Sequence, residues 1–312
     1  MTIYIDTPLQ EKEKSFLKQH SEEEDLYFRD ELGTDESCLR HLREAEIVFG
    51  NPKPDWMKEA VRAKWIQLYS TGFGDYSGIH LQAIVTNMQD YYSQPCAETM
   101  IAGILALYRK MDTFGVLKEK KTWVGYPIRR ELQVLNFKKV IILGTGSIGR
   151  RIAKILSGFS SEHIFFGRTA SDATLRSREE LEEKIPWADI IIGCLPGTDE
   201  TKGLFTNTMI NRMKQTALFC NVGRGDLIAD QDYLVEALVN GTIGGAVLDV
   251  TIPEPLPIDN PLWECPNTIL SQHSGGGQLT EYDGIVELFI ENLKSYKKGQ
   301  PLKNKINFSK GY

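Results

Sequence analysis

The stretch VIILGTGSIGR, residues 140–150, limits what this chain can become more than any other. Its apolar opening reads as a strand buried on both faces, and SIGRRIAKILSGF, which overlaps its end, carries helical periodicity. Between them Gly144, Gly146 and Gly149 stand in G-x-G-x-x-G register. The first glycine permits a tight turn, the second lets backbone approach a pyrophosphate, and the third packs helix on strand. Amides at the helix start, with Ser147 and Ile148 in the turn, then face a phosphate anion. A purely structural turn is the competing reading. The strand before and the helix after favour a dinucleotide site.

The rest of the chain repeats this alternation. TIYID, DLYFRD, EIVFGN, WIQLYST and AIVTNM are short β-rich runs in the first hundred residues. LQEKEKSFLKQH, DESCLRHLREA and DWMKEAVRA lie between them with helical spacing. A longer helix, AETMIAGILALYRKM, is followed by an irregular basic segment containing Trp123. From Val140 the pattern restarts, with VIIL, HIFF, ADIIIGCL, TALFCNV, GAVLDV and TILSQHS as strands. Strands alternating with helices demand parallel sheets covered on both faces. With 312 residues, more than one core holds, the expectation is two α/β lobes. YDGIVELFIENLKSYKKG is long enough to cross back to the first half.

The second strand of the restarted series ends in IFFGRTAS, residues 164–171. A dinucleotide fold usually places a carboxylate there for the ribose 2′-hydroxyl of NAD. Here Glu162 comes too early and Asp172 too late, while Arg168, Thr169 and Ser171 stand at the strand's carboxyl end. A 2′-phosphate needs cationic, hydrogen-bonding partners, so the pattern predicts NADP(H), with NAD as the second choice. A solvated loop arginine is the alternative.

Composition excludes several classes. A net charge of -6 argues against a general nucleic-acid or anionic-membrane surface, and no apolar run reaches the length of a membrane span. The start, MTIYIDTPLQEKEK, reads into a strand and a charged helix, unlike a signal peptide. The five cysteines never form a CxxC pair, so neither a disulfide framework nor a zinc site is expected. A cytoplasmic protein without bound metal is the expectation.

One block carries more: CNVGRGDLIADQDYLVEALVNG, then GGAVLDVTIPEPLP, then PLWECPNTILSQHSGG. With these motifs the chain resembles the D-isomer-specific 2-hydroxyacid dehydrogenases, and within them the glyoxylate/hydroxypyruvate reductases. The likeness spans essentially the whole chain and is strongest over residues 143–276. It implies a Rossmann-type dinucleotide-binding domain at residues 99–285. A flavodoxin-like substrate domain would take residues 1–98 and 286–312, with the active site in the cleft. Arg224 of NVGRG would hold the carboxylate and keto oxygen of a 2-oxo acid, a planar anion suited to a guanidinium fork. His273 would donate a proton as hydride passes from nicotinamide to the carbonyl carbon, and Glu254 of EPLP would stabilise its imidazolium. A surface arginine, a loop carboxylate and a structural histidine are the bland alternatives. Their joint occurrence at family spacing argues against all three.

The resemblance also implies lesser contacts. Phe73 and Gly74 of STGFGDY would grip the substrate carboxylate through backbone amides. Asp249 would sit near the nicotinamide carboxamide, Leu195 and Pro196 by the adenosine, and Val222, Gly223 and Gly275 along the cofactor. An ordinary glycine turn or a core position is the competing reading of each. A homodimer is expected, with the segment after Met111 as its surface. Where the family has proline before the histidine this chain has Gln272, which predicts a looser proton donor. Ser274 and Gly275 to Gly277 follow where a β-branched residue and small residues are usual. A dinucleotide-sensing corepressor is a rival from another class, though no low-complexity tail for recruiting partners is visible. A phosphite- or formate-oxidising relative is a rival within the enzymes. The absence of an added C-terminal domain argues against the longer phosphoglycerate dehydrogenases.

Overall fold

The computed structural model describes residues 1–76, 78–168 and 170–306. The chain divides into two compact units, one formed by Met1–Tyr92 with the stretch from Gln278 onward, the other by Ser93–Gly277.

The first unit is built on β1 (Thr2–Ile5), α1 (Glu11–Gln19), β2 (Asp25–Phe28), α2 (Asp35–Glu44), β3 (Ile47–Phe49), α3 (Pro54–Met57), β4 (Trp65–Gln67) and β5 (Ile84–Thr86). Its five strands are parallel in the order β2-β1-β3-β4-β5, the flavodoxin-like order. Thr34 caps α2 by accepting from the Ser37 amide. DWMKEAVRA yields only the single turn of α3. Its later apolar positions are Ala60 and Ala63, which bury little area, while Val61 is exposed.

The second unit begins with α4 (Ser93–Arg109) and α5 (Met111–Glu119), and continues with β6 (Lys139–Leu143), α6 (Ser147–Ser157), β7 (Glu162–Phe166), α7 (Arg178–Lys184) and β8 (Ile190–Gly193). It then runs through α8 (Asn207–Asn211), β9 (Leu218–Asn221), α9 (Gln231–Val239), β10 (Gly245–Leu248) and β11 (Thr268–Leu270). Lys110 takes a left-handed φ of 54° and separates α4 from α5, so part of the segment expected to be irregular is helical.

The six strands of this unit are parallel in the order β11-β10-β9-β8-β6-β7. Val140 to Leu143 and Ile190 to Ile192 are fully buried, because helices cover both faces of the sheet. Each such isoleucine contributes about 1.5–3 kcal/mol through burial. The order reverses between β7 and β8 on either side of β6. The glycine loop leaves β6 at that switch point, where open α/β sheets bind ligands.

The last helix, α10 (Glu281–Lys297), returns to the first unit. Its Phe289 stacks on Phe49 and Trp65, with ring centroids 4.1 and 5.0 Å apart. Asn292 reaches the buried Gln67 at 2.9 Å. No helix among the described residues is long and apolar enough to cross a membrane.

Candidate active site

The expected site residues of the second unit gather at the carboxyl ends of its strands. β6 runs into Gly144, β7 into Arg168, β8 into Leu195 and Pro196, β9 into Val222, Gly223 and Arg224, β10 into Asp249, and β11 into His273 and Gly275. Parallel strands start these loops from one edge, which is why residues distant in sequence become neighbours.

The glycine loop fits a dinucleotide phosphate. Gly144 has φ 121°, a left-handed value that glycine tolerates. A Cβ on Gly149 would lie 2.4 Å from the Gly144 carbonyl oxygen, so the third glycine permits close packing of α6. At Gly146 a Cβ would meet nothing within 4 Å, and the start of α6 carries no side-chain cap. The first-turn amides, with Ser147 and Ile148 half-buried beside them, thus open to a ligand rather than to a protein carboxylate.

Arg168 lies just beyond β7, whose Phe166 pairs with Leu143, so it stands beside the glycine loop. Gly167 packs on that loop, where a Cβ would lie 2.8 Å from Thr145 Cγ2. The nearby acids are accounted for. Glu162 begins β7 at the opposite end, and Asp172 is paired with Arg150 through bonds of 2.5 and 3.0 Å. The Arg150 guanidinium holds the Asp172 carboxyl below its ordinary range. Arg168 itself forms an ion pair with Glu200, in the loop after β8. Arg176 braces the stretch by donating to the carbonyls of Arg168 and Ala170, both at 3.0 Å. Ser171 is exposed, and Thr169 lies outside the described residues.

Arg224 follows β9 in extended backbone conformation, and its Nη1 donates to the Gly223 carbonyl at 2.8 Å. Buried Asn221 shapes this turn: its Oδ1 accepts from the Gly223 amide at 3.1 Å, and its Nδ2 donates to the Arg224 carbonyl at 2.8 Å. Gly223 sits so tightly that a Cβ would lie 2.4 Å from the Leu195 carbonyl oxygen. Val222 is buried beneath the same turn. Asn221 escapes sequence reading, although a polar residue ending an apolar strand is its visible signal.

Glu254 and His273 meet. His273 Nδ1 lies 2.7 Å from Glu254 Oε2, while Glu254 Oε1 accepts from the Thr251 amide at 2.9 Å. The carboxylate is thereby fixed at both oxygens, and a ring held at Nδ1 presents Nε2 on its other side. Gln231, the first residue of α9, anchors the Glu254 loop by donating to and accepting from the backbone of Ile252 at 2.6 and 2.9 Å.

Asp249 is buried, and its Oδ1 accepts from Ser271 Oγ at 2.7 Å and from the Gly275 amide at 2.9 Å. Its carboxylate therefore holds the histidine loop. Gln272 has φ 54°, which proline cannot adopt, so the expected looseness from a missing proline is corrected: proline would not tighten this backbone.

Phe73 and Gly74 belong to the first unit, where Phe73 is buried in the core and Gly74 opens a short 3-10 turn. The five cysteines are free, and burial pushes the Cys96 thiol up to about 12, so it is no ready nucleophile. No group of three or more His, Cys, Asp or Glu suited to a metal ion occurs among the described residues.

Known proteins show the same organisation. Residues 101–275 match the family model for the NAD binding domain of D-isomer specific 2-hydroxyacid dehydrogenases. Glyoxylate/hydroxypyruvate reductase B of Pectobacterium carotovorum is 29% identical over 268 residues, covering 83% of this chain and 83% of that one. Glyoxylate reductase of Pyrococcus horikoshii is 31% identical over 232 residues, covering 69% of this chain and 67% of its own. The crystal structure of a D-isomer specific 2-hydroxyacid dehydrogenase family protein from Aeromonas salmonicida has a TM-score of 0.84 at 27% identity, with 98% of both chains covered.

Proposed function

Because the chain belongs to the D-isomer specific 2-hydroxyacid dehydrogenase family and carries its dinucleotide-binding domain, we propose that it reduces small 2-oxo acids of the glyoxylate and hydroxypyruvate kind. NADPH is the preferred reductant in this reading, with NADH second. The observation that carries it is the pair His273–Glu254, 2.7 Å apart, on loops from the same sheet edge as the glycine loop.

The dinucleotide supplies the hydride when bound. Arg224 offers the carboxylate and carbonyl oxygen of the substrate a planar, permanently charged fork. Phe73 and Gly74 are assigned the backbone amides that bind the same carboxylate. His273, oriented through Nδ1 by Glu254, gives its Nε2 proton to the carbonyl oxygen, a general-acid role that contributes on the order of 10²–10⁴ in rate. Arg168 supports the NADPH preference, because a cation at the end of β7 favours a 2′-phosphate where a carboxylate would repel it. The free cysteines support a reducing, cytoplasmic setting. A second copy of the chain is the partner this reading assigns to the apolar stretch 111–137.

The test is a panel of small 2-oxo acids assayed with NADPH and NADH side by side, with His273→Ala, Arg224→Ala and Arg168→Ala alongside. We expect turnover of glyoxylate or hydroxypyruvate, and a loss on the order of 10²–10⁴ in His273→Ala. Arg224→Ala should remove most turnover as well, and Arg168→Ala should erode the preference for NADPH. No oxidation of NADPH with any 2-oxo acid would reject the reductase reading. Near-normal rates in both catalytic variants would reject the mechanism.

A further inference from the structure

His273 sits in a left-handed turn. Gln272 and His273 have φ values of 54° and 53°, a region that side chains other than glycine rarely occupy even singly. Such backbone persists only where its surroundings over-determine it. Backbone bonds hold the turn, and one buried carboxylate ties its two ends together. Asp249 Oδ1 accepts from Ser271 Oγ at 2.7 Å, just before the turn, and from the Gly275 amide at 2.9 Å, just after it. The Asp249 carbonyl accepts from the His273 amide between those two points.

The far side of the clamp is rigid. A Cβ on Gly275 would lie 2.9 Å from Asp249 Oδ2, so the chain is pressed against the carboxylate. Thr99 of α4 also donates to the Gly275 carbonyl at 3.1 Å. On the near side the Ser271 amide donates to the Leu248 carbonyl at 3.0 Å, and the Ser271 carbonyl accepts from the Ser274 amide at 3.0 Å. The Ser271 hydroxyl is the side-chain group that ties this side to the Asp249 carboxylate. Without that hydroxyl the carboxylate would hold only the far end of the turn, at the Gly275 amide.

We propose that Ser271 is a positioning residue for His273, holding through Asp249 the left-handed turn in which the imidazole meets Glu254. The inference rests on the proton-donor reading of His273 for its kinetic consequence, but its structural content does not depend on that reading. Gln272 follows from the same geometry. Its side chain is exposed, so its contribution lies in the backbone it permits, and a ring locked near φ -65° would break the turn.

The experiment uses the full chain. It measures kcat and KM for glyoxylate with NADPH, the NADPH dissociation constant by fluorescence titration, and the imidazole proton between His273 and Glu254 by NMR with labelled histidine. Ser271→Ala should lower kcat on the order of 10- to 100-fold through misplacement of the donor. KM and nucleotide affinity should change little, the pattern of an interaction that acts in the transition state. Ser271→Thr keeps the hydroxyl and should restore most of the turnover. Gln272→Pro should be as damaging as Ser271→Ala, and Gln272→Gly milder, because glycine enters the left-handed region freely. The histidine proton resonance should survive in Ser271→Thr and broaden or vanish in Ser271→Ala and Gln272→Pro.

A wild-type kcat with an unchanged resonance in Ser271→Ala overturns the proposal, and so does a fully active Gln272→Pro. If the resonance is lost as expected while the wild-type protein reduces no 2-oxo acid, the positioning role stands and the functional reading falls.

Discussion

In the proposed reading Arg168 decides cofactor choice, and its ion pair with Glu200 makes that reading testable. Both side chains are about three-fifths exposed, at 60% and 62%. An ion pair that open to water contributes about 0–1 kcal/mol. If NADPH binds as proposed, its 2′-phosphate, with more charge and three acceptor oxygens, would outcompete a single carboxylate for the guanidinium. Glu200 would nevertheless oppose it twice, by occupying Arg168 and by repelling the phosphate. Removing that charge should therefore tighten NADPH binding and leave NADH, which has no 2′-phosphate, almost untouched. We expect Glu200→Gln to lower the NADPH dissociation constant by about two- to fivefold, equivalent to roughly 0.4–1 kcal/mol. Calorimetric titration with both nucleotides reads this directly. Equal shifts for the two nucleotides, or weaker NADPH binding, would mean that the pair does not govern selectivity.

At the scale of elements, the start of α9 acts on a loop it does not belong to. Asp230 caps the helix by accepting from the Tyr233 amide at 3.1 Å, which fixes the position of Gln231 behind it. Gln231 then pairs with the Ile252 backbone as a neighbouring strand would, and Ile252 lies two residues before Glu254. Gln231→Ala should loosen the Glu254 carboxylate and lower kcat several-fold. Each exposed bond contributes only about 0.5–1.5 kcal/mol, so the thermal midpoint should move little. Unimpaired kcat with a clearly lowered midpoint would make Gln231 a stability residue instead. This bracing marks the limit of what the sequence discloses. VIIL and ADIIIGCL are legible as central strands because a sheet covered on both faces needs unbroken apolar runs. Arg224, Glu254 and His273 are legible as candidates because they sit in motifs. Gln231, Asn221 and Ser271 are not, because their roles depend on backbone from other loops or on φ values that a string of letters does not carry. DWMKEAVRA misleads for another reason: alanines satisfy a helical period without burying enough surface to hold a helix.

At the scale of the whole molecule, exposed apolar surface is concentrated where the fold has no use for it. Eight of the sixteen exposed large apolar side chains among the described residues fall in the stretch 111–137. Trp123 is 95% exposed, Phe137 75% and Tyr126 68%. Apolar residues scattered singly over a surface need no explanation, whereas so many exposed apolar side chains within one stretch of 27 residues make it the candidate contact segment. The stretch also carries lysines and arginines, residue types suited to the polar rim of an interface. A stable pairing through this region would bury about 1,200–2,000 Å² in total. We therefore expect sedimentation at micromolar concentration to give a species near twice the 35.3 kDa of one chain. Trp123→Asp should shift it towards the monomer, because a charge buried in such a contact must be desolvated without a partner. The far-ultraviolet spectrum should stay unchanged, since Trp123 packs against almost nothing within its own chain. A wild-type chain that sediments as a monomer across the concentration range, or a Trp123→Asp variant that stays dimeric, would remove this surface from the reading. In the second case the apolar stretch would need a different occupant.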